Sequence, residues 1–194
     1  MKPLIAVFAK APIPGRVKTR LVPPLTSEVA ALLHERLVAD VWSRLNALSD
    51  ADCELHTDQH TSAWPEISPK SLQCDGDLGQ RMTHAIEHGF TAGRPSVAIV
   101  GGDIPEFPVA ALSAMLSSTS DVSFGPARDG GYYALVCRRS APGMLAGVRW
   151  STAHALADSI ASCIRAGLNI SIGQPWHDVD SEEDLHLLPT HLRP

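Results

Sequence analysis

Three groups of charged residues in this chain have the types and spacing for phosphate chemistry. The first is "FAKAPIPGRVKTRL" at residues 8–21, where Lys10, Arg16, Lys18 and Arg20 surround a single glycine, Gly15. Glycine lets backbone approach a ligand closely, and the cations supply positive charge in several directions. A turn of this kind feeding a helix suits a phosphate group, although Pro12 and Pro14 bring no N–H donors to it. It is neither a Walker loop nor G-x-G-x-x-G. The second group, "VAIVGGDIPEFP", ends an apolar run in Gly101, Gly102 and Asp103. A carboxylate with two glycines clearing space beside it is placed for a hard cation such as Mg²⁺, while the plainer reading makes it a turn cap. The third, "WHDVDSEEDL", carries Asp178 and Asp180 two positions apart, on the same side of an extended chain. One or both can reach a metal. Asp180 or Ser181 is also a candidate cap for the next helix, with Glu183 and Asp184 in its first turn.

Two further groups carry less. "GPARDGGYY" puts Arg128 and Asp129 on a turn with Gly130 and Gly131, beside Tyr132 and Tyr133. Such a turn either admits a substrate to the backbone under an aromatic ring or is a plain hairpin connection. His56 and His60, and His84 and His88, are each four apart, but "HAIEH" is not H-E-x-x-H and no third ligand accompanies it. These read as surface histidines. Covalent acyl chemistry has no support, because no G-x-S-x-G is present.

The elements that must position these groups follow from apolar periodicity. "PLIAVFAK" is a continuous apolar run ending at the cationic turn, the pattern of a strand buried on both faces. Thr26 or Ser27 caps a helix whose Val29, Leu32, Leu33, Leu37, Val41, Trp42, Leu45 and Leu48 keep helical spacing. "CELHT" and "SLQC" are short strands, and "GDLGQRMTHAIEHGF" is a helix with Leu78, Met82, Ile86 and Phe90 on one stripe. "SVAIVGGD" is a strand, and "FPVAALSAMLSS" is a helix starting near Pro108. "DVSFG" and "GYYALVCRR" are strands flanking "PARDG", and "TAHALADSIASCIRAG" is a helix closed by Gly167. "NISIG" is a last strand, "SEEDLHLL" a last helix and "PTHLRP" a loose tail. Strands alternating with helices predict an α/β layer fold with a largely parallel sheet, whose ligands gather beyond the carboxyl ends of the strands.

Bulk properties set the outer bounds. The 194 residues fit one domain, 1–194, and a hydrophobic fraction of 44% with 19% charged residues is that of a soluble globular protein. A net charge of −5 argues against a nucleic-acid partner. "LIAVFA" and "VAIV" are too short to cross a membrane, and "LIAVFA" is too short for a secretory signal, so a cytoplasmic protein is expected. Cys53, Cys74, Cys137 and Cys163 form no C-x-x-C pair and are expected to be free, buried thiols. The charge is uneven: five cations precede the first acid, Glu28, and five acids crowd "DVDSEEDL".

Taken in order, "FAKAPIPGRVKTRL", "GDLGQRM", "GGDIPEFP", "GPARDGGYY", "RWST" and "DVDSEEDL" resemble a bacterial family once labelled a domain of unknown function. That family is also described as glycosyltransferase-like, and some members are named arsenosugar-biosynthesis glycosyltransferases. The resemblance runs from the first strand to the last helix. It implies a three-layer α/β/α, Rossmann-like sandwich of the nucleotide-diphospho-sugar transferase (GT-A) type. It further implies a Mg²⁺-dependent transferase with a nucleotide or nucleotide-sugar donor and a small-molecule acceptor. By that resemblance Lys18 and Asp103 are catalytic, and Ala9, Gly15, Arg16, Lys18, Arg20, Leu78 and Gly79 receive the nucleotide. Asp103 and Asp180 hold the metal, and Arg128, Asp129, Gly130, Gly131 and Tyr132 line the acceptor side. The Pro-rich loop departs from the Gly-rich loop of the superfamily's nucleotidyltransferases, and "GDIP" lacks the Asp-x-Asp usual in its glycosyltransferases. Nucleotidyl transfer to a small phosphorylated acceptor is the leading expectation, glycosyl transfer from a nucleotide-diphospho-sugar the alternative. A nucleotide-binding module without catalysis is the third reading.

Overall fold

Strand alternation sorts this chain's apolar residues into two cores, one on each side of a single sheet. In the computed structural model, which describes residues 1–193, β1 (Leu4–Ala9) sends Ile5 and Val7 to one face and Leu4 and Ala6 to the other. The first face is covered by α1 (Ser27–Asn46) and α3 (Val109–Leu116), through Val38, Val41, Leu45, Leu112 and Met115. The second is covered by α2 (Leu78–Thr91) and α4 (Ala155–Arg165), through Met82, Ile86 and Cys163. The result is the three-layer α/β/α arrangement expected.

Among the described residues the sheet has seven strands in the order β3-β2-β1-β4-β6-β5-β7. Besides β1 these are β2 (Asp52–Thr57), β3 (Lys70–Leu72), β4 (Val97–Gly101), β5 (Val122–Pro126), β6 (Tyr132–Cys137) and β7 (Ile170–Ile172). All neighbouring pairs are parallel except those of β6, which runs antiparallel to β4 and β5. The "PARDG" turn therefore closes a true β5–β6 hairpin, with a register shift at Gly125 and Pro126. The carboxyl ends of β1 and β4 lie side by side, with Phe8 opposite Gly101. The loop after each strand thus opens at the same edge.

Helix ends follow local chemistry. Thr26 caps α1 by accepting from the Val29 N–H, and Asp77 caps α2 in a reciprocal box with Gln80. Gly167 turns the chain after α4 with φ +75°.

The structure corrects several expectations. Glu182–Leu187 is a 3-10 turn rather than an α-helix. Its segment is bounded by the Ser181–Asp184 capping box and by Pro189, which holds Leu188 extended, leaving too little chain for α-helical turns. Within the expected loose tail, residues 189–193 are ordered and Pro194 lies outside the described residues. Thr190–Leu192 forms another 3-10 turn, and Leu192 is buried with Leu21, Leu33, Leu37, Val179 and Leu188 in a third cluster. Leu78 leaves the α2 stripe and stands exposed at the first residue of the helix. Leu32 likewise stands exposed on α1. His56 is buried on β2 rather than at the surface, stacked on Phe8 with ring centroids 5.4 Å apart. All four cysteines are free, but Cys74 is only half-buried. Among the described residues no helix is long and apolar enough to cross a membrane.

Candidate active site

The site begins where β1 and β4 end. Gly102 donates its N–H to the Phe8 carbonyl at 2.9 Å, and a Cβ there would meet that carbonyl and Val38 at 3.1 Å. Only glycine lets the chain turn this close to β1, and that turn delivers Asp103 to the mouth of the sheet. From the other side, the Pro-rich loop inserts Val17 into the core and then takes a left-handed turn at Lys18, φ +46°. Such a conformation costs a non-glycine residue on the order of 1 kcal/mol or more and persists only where surrounding contacts hold it.

Those contacts are ionic. The Lys18 side chain is 2% exposed, and its Nζ lies 2.8 Å from Asp103 Oδ2 and 2.8 Å from Asp180 Oδ1. It also donates to the Val179 carbonyl at 2.7 Å. Val179 is fully buried in the third cluster, and its neighbours Asp178 and Asp180 both border the cleft, as extended-chain alternation requires. One ammonium thus ties together the loop after β1, the loop after β4 and the segment after β7.

Proton affinities follow from this arrangement. Burial works against the charged form of Lys18, but Asp103 and then Asp180 outweigh it and raise its pKa above the ordinary lysine value. Desolvation likewise opposes ionisation of Asp103, yet Lys18 and then His34 bring its pKa down to about 2. His34, buried on α1, donates from Nε2 to the Lys10 carbonyl at 2.9 Å, which leaves its Nδ1 without a partner among the described residues. Desolvation lowers its pKa, so the ring is neutral at pH 7. Asp178 goes the other way: desolvation, then Asp180 and Asp129, push it up to about 6.

Two connected cavities open around this junction. The first, about 580 Å³, is bordered by Phe8, Arg16, His34, Gln73, Arg81 and Lys10. The second, about 390 Å³, is bordered by Asp129, Tyr132, Tyr133, Trp150, Thr152 and Asp178. Asp103, Asp180, Arg20, Leu78, Gly101 and Ser151 belong to both. Asp103 and Asp180 therefore stand where the two lobes meet.

Of the residues singled out in the sequence, Ala9, Arg16, Lys18, Arg20, Leu78, Asp103 and Asp180 border the first lobe. Gly15 does not: it shapes the exposed turn with φ +76°. Gly79 is also outside, because it packs under Trp150, where a Cβ would lie 2.9 Å from the indole. In the second lobe the structure gathers Asp129, Gly131 and Tyr132. Arg128 is exposed and Gly130 is pressed on Ala153, so neither borders the lobe. Sequence reasoning missed His34, Gln73, Arg81, Trp150 and Ser151. Arg81 lies inside "GDLGQRM", where only Leu78 and Gly79 were assigned to the nucleotide, and Trp150 and Ser151 lie inside "RWST", a motif given no role. Ser151 has φ +59°, the second left-handed non-glycine bordering the cleft. His34 reads in sequence only as one more residue on a helix.

The junction fits a hard divalent cation held jointly with a substrate. Lys18 takes one oxygen from each carboxylate, and both side chains remain over a third exposed to the cleft. Asp180 Oδ2 has Arg20 only at 3.9 Å. Among the described residues no group of three or more His, Cys, Asp or Glu is arranged to hold a metal without help. Two carboxylates supplemented by phosphate oxygens are the usual Mg²⁺ environment, whereas an all-protein cage is not.

The family described as "Uncharacterized protein conserved in bacteria (DUF2064)" matches residues 32–152. A crystal structure from Desulfovibrio desulfuricans G20, of a candidate nucleotide-diphospho-sugar transferase, is 32% identical with TM-score 0.84, covering 93% of this chain and 84% of that one. The fold is shared more distantly with CMP:2-keto-3-deoxy-manno-octonic acid synthetase in complex with CTP, at 13% identity, TM-score 0.62 and 96% coverage of both chains. It is shared too with Rv0371c of Mycobacterium tuberculosis, solved with manganese, at 15% identity, TM-score 0.50 and coverage of 97% and 98%. No curated protein sequence matches the chain.

Proposed function

We propose that this chain, which belongs to the bacterial DUF2064 family, is a Mg²⁺-dependent transferase that forms one domain over residues 1–194. A nucleotide or nucleotide-sugar donor occupies the first lobe and a small-molecule acceptor the second. The observation that carries this reading is the junction: two cavities share Asp103 and Asp180, and Lys18 contacts both carboxylates. A group passing from donor to acceptor has to cross there.

The roles follow from position. Arg16 and Arg20, exposed at the rim, meet the donor phosphates, and the buried Lys18 supplies fixed positive charge behind them. Leu78 offers an exposed apolar surface at the lobe wall for a base or ribose. Asp103 and Asp180 would hold the cation, which when bound withdraws charge from the phosphate oxygens. Asp129, Gly131 and Tyr132 contact the acceptor. A module that only bound nucleotide would have less need of two separated carboxylates beside a buried lysine.

Nucleotidyl transfer is the favoured form. The strand end carries one carboxylate without Asp-x-Asp, and a CTP-bound synthetase shares the fold over nearly the whole chain. Glycosyl transfer is the second reading, supported by the 32% identical D. desulfuricans protein. The test is a thermal-shift screen of nucleoside triphosphates and nucleotide sugars with and without Mg²⁺, followed by assay of both leaving groups. A ligand at one hundred times its Kd should stabilise the fold by about 2.7 kcal/mol. Pyrophosphate release supports nucleotidyl transfer and nucleoside diphosphate release supports glycosyl transfer. Binding without turnover would reduce the protein to a module.

A further inference from the structure

We infer that the second lobe takes an uncharged, hydroxyl-bearing acceptor rather than a phosphorylated or otherwise anionic one. The inference rests on the two-lobe reading above and specifies the chemistry of its acceptor side.

Charge is the first argument. The second lobe is bordered by Asp103, Asp129, Asp178 and Asp180, against the single cation Arg20. Lys18 neutralises part of the Asp103 and Asp180 charge, and Arg20 approaches Asp180 at 3.9 Å. Asp129 and Asp178 have no ion-pair partner among the described residues. Asp129 Oδ1 accepts only the Gly131 N–H, at 2.8 Å. Two further cations lie nearby without bordering the lobe: Arg149 makes two hydrogen bonds to Asp158, at 2.8 and 2.9 Å, and Arg128, next to Asp129, is exposed to solvent. An incoming phosphate would meet two uncompensated carboxylates in a confined cleft, where field lines concentrate.

Backbone donors at the start of the neighbouring helix offset little of this. The start of α4 borders the lobe, and a helix N-terminus is the usual alternative anion site. Three of its N–H groups are already used: His154 donates to Thr152 Oγ1, Ala155 to the Thr152 carbonyl and Leu156 to the Gly130 carbonyl.

The remaining surface suits hydroxyls. Tyr132 and Trp150 meet edge to face at 6.5 Å beside Tyr133, whose hydroxyl is occupied by the Gln174 carbonyl. Ring faces cover the C–H surface of a polyol or sugar ring, while carboxylates accept strong hydrogen bonds from its hydroxyls. A phosphorylated acceptor finds no comparable set of side chains here, so in the favoured nucleotidyl form the attacking group would be a hydroxyl oxygen of the acceptor.

The test uses the full chain at fixed Mg²⁺ and saturation-transfer NMR. Binding of CTP, GTP and UDP-glucose is measured first, because failure of all three overturns the donor reading independently of the acceptor. Matched pairs are then compared: glycerol with glycerol 3-phosphate, and glucose with glucose 1-phosphate. In the wild type the uncharged member of each pair should bind about tenfold more tightly. Asp178→Asn and Asp129→Asn should each move that ratio about tenfold toward the phosphate. Asp129→Asn lies on an exposed turn and keeps an oxygen for the Gly131 N–H, so its fold is secure. Tighter binding of the phosphorylated members, binding of neither member, or a ratio unmoved by both substitutions would overturn the inference.

Discussion

The two lobes of the cleft share Asp103, Asp180 and Arg20, yet their electrical characters are opposite. The first adds Lys10, Arg16, Lys18 and Arg81 to its border and no further acid. The second adds Asp129 and Asp178 and no further cation. Their surfaces differ as well: exposed Arg16 and half-buried Arg81 border only the first, whereas Tyr132, Tyr133 and Trp150 border only the second. A net charge of −5 for the whole chain conceals this division. The contrast teaches that one cleft can hold two surfaces of opposite charge with Lys18 at their boundary, and on the proposed reading the anionic ligand belongs on the cationic side.

The largest effect expected from disturbing that boundary comes from Lys18→Met. The substitution leaves Asp103 and Asp180 facing each other without a counter-ion. Breaking a buried pair on one side costs about 3–5 kcal/mol, and the partial exposure of the carboxylates reduces this to about 2 kcal/mol. Turnover should vanish along with the loss. Urea unfolding that matches the wild type would mean that the three loops are held together by something other than this ammonium.

Asp103→Asn is expected to act on chemistry more than on folding. Asparagine keeps the shape and would serve nearly as well as a turn cap, but it removes the charge a hard cation needs. The rate should fall by about a hundredfold or more, with a stability loss of only about 1 kcal/mol because Lys18 keeps Asp180 and the Val179 carbonyl as partners. Activity near normal, with unchanged Mg²⁺ dependence, would return Asp103 to the role of a turn cap and dissolve the junction between the lobes.

Arg16→Gln tests whether the lobes are separable. Arg16 borders only the first, so donor KM should rise severalfold, about 1 kcal/mol, while acceptor KM stays put. A comparable change in acceptor KM would show that the lobes are not independent sites.

The smallest effect expected is a pH dependence behind the first lobe. Glu54 lies beside His56, under Phe8, and accepts from the Ser71 hydroxyl. His56, outweighing the desolvation that opposes it, and Ser71 lower the Glu54 pKa from 4.5 to about 2. A carboxylate depressed in the folded state stabilises it above its unfolded pKa, and the contribution is lost as pH falls through the folded value. Stability should therefore decline between about pH 4.5 and about pH 2, and Glu54→Gln should flatten that part of the curve. Melting temperatures measured across this range in both proteins provide the check, and identical curves would remove Glu54 from the account.

Much of this molecule was legible in residue order alone. Continuous apolar runs marked β1 and β4, helical periodicity marked α1 and α2, and both signals lie within a window of a few residues. Glycines after "VAIV" and cations after "LIAVFA" flagged the two loops that carry Asp103 and Lys18, because composition changes abruptly where a buried strand ends. The alternation of Asp178, Val179 and Asp180 likewise predicted that the two carboxylates would share one side, which is the side of the cleft.

Other features depended on which strands became neighbours. Nothing local in "GRVKTRL" says that Lys18 will be buried while Arg16 and Arg20 stay exposed, or that it will meet Asp180, 162 positions away. That contact requires β1 and β4 to pair and the chain to return past them after β7 on the far side of an antiparallel hairpin. His34 gained its place for the same reason, since its helix is legible but the loop it packs under is not. Helical spacing puts Leu78 on the α2 stripe while the family resemblance puts it beside the nucleotide, and the position of the α2 start at the cleft leaves it exposed there. Hydrophobic period encodes what an element buries, a property of adjacent residues. The pairing of charges across a cleft is set by sheet order, which arises from the whole chain packing at once.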